Sequence, residues 1–385
     1  MNPTDISDSI TKHFGDLTDP RLERTRRHKL IDILVIAICG VICHADSWEE
    51  VEAFGKAKEA WFRKFLELSN GIPSHDTFNR VFARLDAKQF ETHFIGWITA
   101  VSEITKGQVV AVDGKMPRGS RDGRLGKGAI DIVSAWATEN SLVLGQVKVN
   151  EKSNEITAIP ELLSVLELSG CIVTIDAIGC QTEIARQIVK DQNADYILSL
   201  KENQGRLYED VALLFADLEK NPRAFTFDYA KTLNKGHGRG EKRECWTISD
   251  PQVLQYLRGF ANWEKLLSVS RIRSHRLEGE QKSVEDRYHI ASITGAKRIL
   301  TAVRSHWGIE NGLHWRLDIA FDEDHCRVRK DHGPENFAIL RHIALNLLKQ
   351  EKTSKRSIRT KRLQAAWDET YLLKVLAGFS SLVQT

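Results

Sequence analysis

Hydrophobic spacing along the chain changes twice. Over the first hundred residues apolar side chains recur at helical intervals. Leu30 to Cys43 is apolar on nearly every side and predicts a buried helix, and Trp48 to Leu68 is amphipathic. After a break at Gly71-Ile72-Pro73, Ser74-His75-Asp76 opens a further helical stretch through Phe90 to Ile98. From about residue 107 the pattern shifts to short β-branched runs: Val109-Val110-Ala111-Val112, Ile130 to Ala137 and Leu142 to Val149, the last two joined by a tight turn at Glu139-Asn140. A helix from Asn154 to Leu168, a strand from Cys171 to Ile175, a helix from Thr182 to Asp191, a strand from Tyr196 to Leu200 and a helical stretch over 203–219 follow.

Three strands and then alternating helix and strand is the order of a ribonuclease H-like (RNase H-like) mixed α/β sheet. In that layout the first strand and the strand after the first helix lie side by side. Residues 222–295 interrupt the alternation with strand-like runs at Lys242 to Ile248, Leu266 to Ile272 and Arg287 to Ile293, which read as a β-rich insertion rather than a continuation of the sheet. Helical spacing resumes at Ala296 and runs through Trp307 to Trp315. A helix over Pro334 to Lys349, a basic segment, and a helix near Leu363 to Ala377 close the chain. The expected units are a helical N-terminal domain (1–100) with possible DNA-end binding, a first core part (107–220), the insertion (221–295), a second core part with the late helices (296–350), and a basic tail with its helix (351–385).

A length of 385 residues allows two or three such units and a substantial core. The net charge of +3 hides three basic clusters, at Arg21 to Lys29, Lys115 to Lys127 and Lys352 to Arg362, which together favour a polyanionic partner. The six cysteines form no CxxC pair, and Cys39 and Cys43 fall in an apolar helical run. They read as free, mostly buried thiols of a reducing cytoplasm. The polar start predicts no signal peptide, and the longest apolar stretch, Ile33 to Cys43, is too short to span a bilayer.

The candidate chemistry sits at two strand ends. The run ending at Val112 stops on Asp113, with Gly114 supplying the turn, and Cys171 to Ile175 stops on Asp176 in the same way. A carboxylate at the rim of a core needs a partner, which an Arg, a backbone cap or a bound cation can each supply. Two such carboxylates with a third on a late helix suit two-metal phosphodiester chemistry, because hard oxygen ligands match magnesium. Glu310, Asp318, Asp322, Glu323 and Asp324 are the available third acids, and Glu310 stands out inside a Trp-flanked apolar helix. The reading requires Asp113, Asp176 and Glu310 to converge within metal-bridging distance.

Asp113-Gly114-Lys115, Thr174-Ile175-Asp176-Ala177, Tyr196 to Gln204 and His306-Trp307-Gly308-Ile309-Glu310-Asn311 together resemble the DDE transposases of bacterial insertion sequences, most closely the H-repeat-associated group. Lys152 to Ile156, Gly236-His237-Gly238-Arg239 and Leu313 to Asp318 fit the same pattern, and Gly71 to Phe78 resembles the associated N-terminal region. The resemblance spans about residues 6 to 350. It implies an RNase H-like core, and Asp113, Asp176 and Glu310 as catalytic residues and metal ligands. It also implies two Mg2+ ions per site (Mn2+ being possible), cleavage and strand transfer on double-stranded DNA at transposon ends and target, and a homodimer on that DNA. The wider family carries a Tyr, an Arg and a Lys around the Glu, where this chain has Val303, His306 and Leu317; Arg304, His306, His314, Arg316 and Arg327 are nearby substitutes.

Further candidate DNA contacts are Lys115, Arg118 and Arg121 after the first Asp, and Lys201, Asn203 and Gln204 after the last core strand, where a capping role is the alternative. Trp246 and Trp263 are candidates for stacking on a displaced base, or else core residues. Two other functions share these residues: an RNase H-like nuclease without strand transfer, and a catalytically silent DNA-binding relic of an element.

Overall fold

The computed structural model describes residues 3–101, 107–121, 128–150, 153–236, 239–278 and 281–380. It begins with helices α1 (Pro3–Phe14), α2 (Leu30–Ile42), α3 (Trp48–Ala57), α4 (Glu59–Phe62), α5 (His75–Arg84) and α6 (Ala87–Val101). Eleven of the thirteen residues of α2 are buried, which explains why its apolar surface is continuous rather than one-sided. A capping box at α3, in which Ser47 and Glu50 satisfy each other's backbone N–H groups, starts that helix sharply.

Next come β1 (Val109–Lys115), β2 (Ile132–Ala137), β3 (Leu142–Lys148), α7 (Glu155–Ser164), β4 (Ile172–Ile175), α8 (Thr182–Arg186) and β5 (Asp195–Leu200). β3, β2 and β1 form an antiparallel meander, and β1, β4 and β5 run parallel, giving the sheet order 3-2-1-4-5. The parallel strands are buried on both faces, so they read as unbroken apolar runs.

After α9 (Gly205–Lys220), the strands β6 (Asp228–Gly236), β7 (Arg239–Ile248), β8 (Ser268–Glu278) and β9 (Gln281–Ala291), with the short α10 (Pro251–Leu254) between β7 and β8, continue the same sheet. This corrects the expectation of an insertion separate from it. β9 pairs antiparallel with β5, and β8, β7 and β6 follow outward to a nine-stranded sheet, so the edge of β5 is covered instead of being left with unpaired backbone groups.

The chain then forms α11 (Ala296–Ile309), α12 (Trp315–Phe321), α13 (Gly333–Gln350), α14 (Ile358–Trp367) and α15 (Glu369–Leu376). α11 touches β1, β4 and β5 along one side and β6, β7 and β8 along another, so the extended sheet coils around it. The far edge also starts this helix, since Asp228 Oδ2 on β6 accepts the Ala296 N–H at 2.7 Å. α13 packs against α2, α5, α6 and β3, and one apolar cluster runs from Ile6 to Phe379 through helices and sheet alike.

The C-terminal basic segment divides. Lys352, Lys355, Arg356 and Arg359 are exposed, whereas Lys361 and Arg362 are buried. Arg362 donates to Val41 O and Ala320 O and forms a bidentate pair with Asp46 at 2.7 and 3.3 Å, tying three parts of the chain together. All six cysteines are free, five of them buried, and no described helix is long and apolar enough to cross a membrane.

Candidate active site

β1 carries Val109–Val112 through the core and reaches the surface at Asp113. In the parallel ladder Val112 lies opposite Ile175, so Asp113 and Asp176 are the next residues on two neighbouring strands. Asp176 Oδ1 accepts the Ile178 N–H at 3.0 Å, which turns the chain immediately. The following loop is held by two amides: Asn203 Nδ2 donates to Ala177 O at 2.6 Å and Gln204 Nε2 to Cys180 O at 2.8 Å. Both side chains were candidates for touching DNA. In the structure they hold the loop behind Asp176.

α11 crosses β1 and β4 and ends at Glu310, where one wider turn of π-helix (Glu310–His314) replaces α-helical spacing. Gly308 and Gly312 lie against the indole of Trp136; a Cβ at 312 would come within 2.7 Å of that ring, so the helix reaches its position only with glycine there. His306 faces inward, its Nδ1 3.0 Å from Thr174 Oγ1, and burial holds it below the usual imidazole range. The position where the wider family carries Arg therefore pins the helix to β4 and offers no charge to a phosphate.

The electrostatics at this strand end are one-sided. Burial first, then the charges of Asp176, Glu310 and Asp131, push the Asp113 carboxyl up to about 7 against a hydrogen bond from the Gly114 backbone. Glu155, the first residue of α7, is pushed up to about 7 by burial and by Asp131, Asp176 and Asp113. Its carboxylate packs against Gly114, in the space a side chain at 114 would share. Among the described residues the basic group paired with Asp113 is His314, with Nδ1 3.7 Å from Asp113 Oδ2, and burial and the Lys115 charge hold it at about 4, neutral at pH 7. Five acids thus share one rim. Asp113 lies within range of the charges of Asp176, Glu310 and Asp131, and Glu155 within range of Asp131, Asp176 and Asp113. Among the described residues, however, no three His, Cys, Asp or Glu side chains are placed to hold a metal ion, so the required convergence of Asp113, Asp176 and Glu310 to metal-bridging distance is not seen.

Two of these acids were missed from the sequence. Asp131 directly precedes Ile132, the register partner of Lys115, and Glu155 follows the cap residue Asn154. An acid at the start of a paired strand or helix next to Asp113 was the available signal.

Lys115 is turned inward. Its Nζ meets Asp318 at 2.7 Å, Glu323 at 2.9 Å and Asp324 at 3.6 Å, so it joins β1 to the region after Glu310 instead of presenting a free ammonium. Of the four alternatives to Glu310, Asp318, Glu323 and Asp324 are thereby engaged, and Asp322 Oδ1 meets His325 Nδ1 at 2.7 Å. Arg118 is 85% exposed with a long contact to Asp324, Arg121 and Lys201 are exposed, and Arg316 stacks its guanidinium 5.0 Å from the Trp315 ring. Arg304 is exposed on α11. Trp263 is buried and the Trp246 ring is covered by Arg271 at 4.5 Å, which leaves neither open to a base. Arg124, Lys127, Lys152, His237 and Gly238 lie outside the described residues.

A mixed sheet of order 3-2-1-4-5, with Asp residues leaving its two central strands and an acid on the helix across them, is an RNase H-like fold. Residues 85–347 match the family described as Transposase DDE domain, and residues 11–98 match the DDE_Tnp_1-associated family. The chain belongs to the DDE transposase family, in its H repeat-associated group. YncI of Escherichia coli O157:H7 is 40% identical over 378 residues, covering 97% of this chain and 96% of that one. The H repeat-associated protein YhhI of Escherichia coli (strain K12) is 39% identical over 375 residues, covering 96% and 98%. Among solved structures, a piggyBac transposase synaptic complex with hairpin DNA matches at a TM-score of 0.42 and 12% identity, covering 100% of this chain and 80% of that one, too loose a likeness for comparing residues.

Proposed function

We propose that this transposase cleaves double-stranded DNA at the ends of an insertion sequence and joins the freed 3′-hydroxyl to target DNA, with Asp113, Asp176 and Glu310 as the catalytic metal ligands. The observation that carries this reading is the parallel register that sets Asp113 and Asp176 level on β1 and β4 beneath the helix ending at Glu310. The donor set suits a hard divalent cation: it is all oxygen, and Asp113 is held protonation-prone by burial and by neighbouring acids, with a neutral His314 as its paired base among the described residues. Magnesium, with manganese as a substitute, would when bound between these carboxylates activate the attacking oxygen and stabilise the leaving one.

The chain's own contribution is rigidity. Strands fix the two Asp residues, the Asn203 and Gln204 amides hold the loop behind Asp176, the His306–Thr174 bond fixes α11 over β4, and Lys115 links β1 to the segment after Glu310. Two ends must be cut in concert, so the working form on DNA is a dimer.

A plasmid carrying the element's terminal sequences tests this. Mg2+-dependent nicking by the wild type should be lost in Asp113→Ala, and equal cleavage by both would remove the proposed site. Precut ends then separate transposition from simple hydrolysis: joining to a target is expected, and nicking without joining would make the protein a nuclease.

A further inference from the structure

The sheet extension carries a second charged feature on the face toward α11. Its register places Arg243 beside Ser274, Glu241 beside Arg276, and Arg287 beside Ile272, so the three arginines on β7, β8 and β9 share one face. Arg304 and Trp307 project from α11 into the same narrow cleft. The Arg276 and Arg287 guanidiniums lie 5.8 and 5.1 Å from the centre of the Trp307 ring.

Charge in this cleft is unbalanced. Arg243 and Arg276 share Glu241, at 2.6 and 3.2 Å, and Arg287 is held by Glu285 at 2.8 Å. Arg304 has no ion pair among the described residues; the Asn234 amide, turned with its oxygen toward the guanidinium, accepts from Arg304 Nη2 at 2.8 Å. Among the described residues, four guanidiniums face two carboxylates. Burial and the charges of Arg304 and Arg276 hold Arg243 below the usual guanidinium range despite Glu241. Such a surplus, half-exposed and pre-oriented on an indole, is what a run of phosphodiesters would neutralise.

We infer that Arg243, Arg276, Arg287 and Arg304, oriented by Trp307, form a clamp for the phosphate backbone of DNA next to the proposed cleavage site. The inference rests on the function proposed above and adds to it a binding surface formed by the sheet extension. Trp307 lies three residues before Glu310, about 4.5 Å along the helix axis at the α-helical rise, so a strand reaching Glu310 passes this cleft. The indole carries two of the guanidiniums and serves as their platform. The contacts are to phosphates, and they contribute affinity without sequence preference.

The test is fluorescence anisotropy of a labelled duplex carrying the terminal repeat found beside the gene, titrated with the full chain at several salt concentrations in EDTA, where no cleavage occurs. The triple variant Arg276→Ala/Arg287→Ala/Arg304→Ala should weaken binding roughly 100-fold near 0.1 M salt and reduce the slope of log affinity against log salt by about 2 to 3. Arg→Lys at the same positions should restore most of the slope, which a packing defect would not. Arg304→Ala alone, at an exposed position, should lower the slope by about 1 and covers the case of a triple variant that fails to fold. An unchanged slope in Arg304→Ala and in a folded triple variant would overturn the clamp and leave the metal-dependent chemistry standing. A wild type that does not bind the duplex would overturn the proposed function itself, and tighter binding to an RNA duplex of the same sequence would overturn the DNA assignment.

Discussion

Two clusters of acidic residues lie close together in this protein and are built on opposite terms. At the ends of β1 and β4, Asp113 lies among the charges of Asp131, Asp176 and Glu310, with Glu155 close by, and the basic group paired with Asp113 among the described residues is a neutral histidine. Two residues along β1 the balance is reversed. Lys115 is surrounded by Asp318, Glu323 and Asp324, Glu323 is 2% exposed with Arg341 on its other side, and Arg362 completes the pattern with Asp46. A buried charge is tolerated when it is matched and costs free energy when it is not. The matched cluster therefore reads as architecture, and the other, unmatched among the described residues, is the one proposed above to hold a metal.

The comparison can be broken in order of effect. Asp113→Asn should reduce Mg2+-dependent nicking by at least about 1,000-fold while leaving the melting temperature equal or higher, because it removes a carboxylate that burial disfavours. A large drop in melting temperature would mean that Asp113 is architectural after all. Arg362→Ala should do the opposite, lowering stability by roughly 3–5 kcal/mol in urea unfolding, since Asp46 and two carbonyls lose their partner. Lys115→Met should cost roughly 2–3 kcal/mol by stranding Glu323, and should lower the cleavage rate with DNA affinity in EDTA unchanged. Affinity falling in step with rate would return Lys115 to the DNA contacts.

The smallest effect concerns pH. Burial, then Glu335 and Glu161, push the Glu91 carboxyl up to about 8. An unfolded Glu ionises near pH 4, so from there up to about pH 8 the native state holds an extra proton, and stability falls as pH rises through that window. Wild type should lose roughly 2 kcal/mol more than Glu91→Gln between about pH 6 and pH 8. Parallel stability curves for the two proteins would show that Glu91 is hydrated in solution.

How much of this was readable beforehand depended on burial. β1 and β4 are apolar β-branched runs ending on Asp, and their pairing follows from topology alone, so Asp113 and Asp176 were visible in the sequence. β6 was not. Asp228–Gly236 alternates polar residues on both faces and is held mainly by pairing with β7, a signal absent from its own composition. The inward turn of Lys115, Lys361 and Arg362 was also invisible, because a basic residue reads as solvated until its carboxylate partner, up to 316 residues away, is folded beside it. The hydrogen bonds of the Asn203 and Gln204 amides to the loop at Ala177 and Cys180 are likewise absent from local composition, since their acceptors lie more than twenty residues earlier in the chain.

The coiling of the sheet around α11 has a consequence for synthesis. Strands β1 to β9 emerge from the ribosome before the helix that fills their concave face, so a nascent chain halted near residue 295 exposes Val109, Ile172, Ile197, Cys245 and Ile272, which that helix covers in the finished protein. Shortened copies of such a gene would then produce sticky, chaperone-dependent polypeptides instead of inert competitors for DNA. On this account, a truncation that removes the chain from α11 (Ala296–Ile309) onward silences the protein through its solubility as well as through its chemistry.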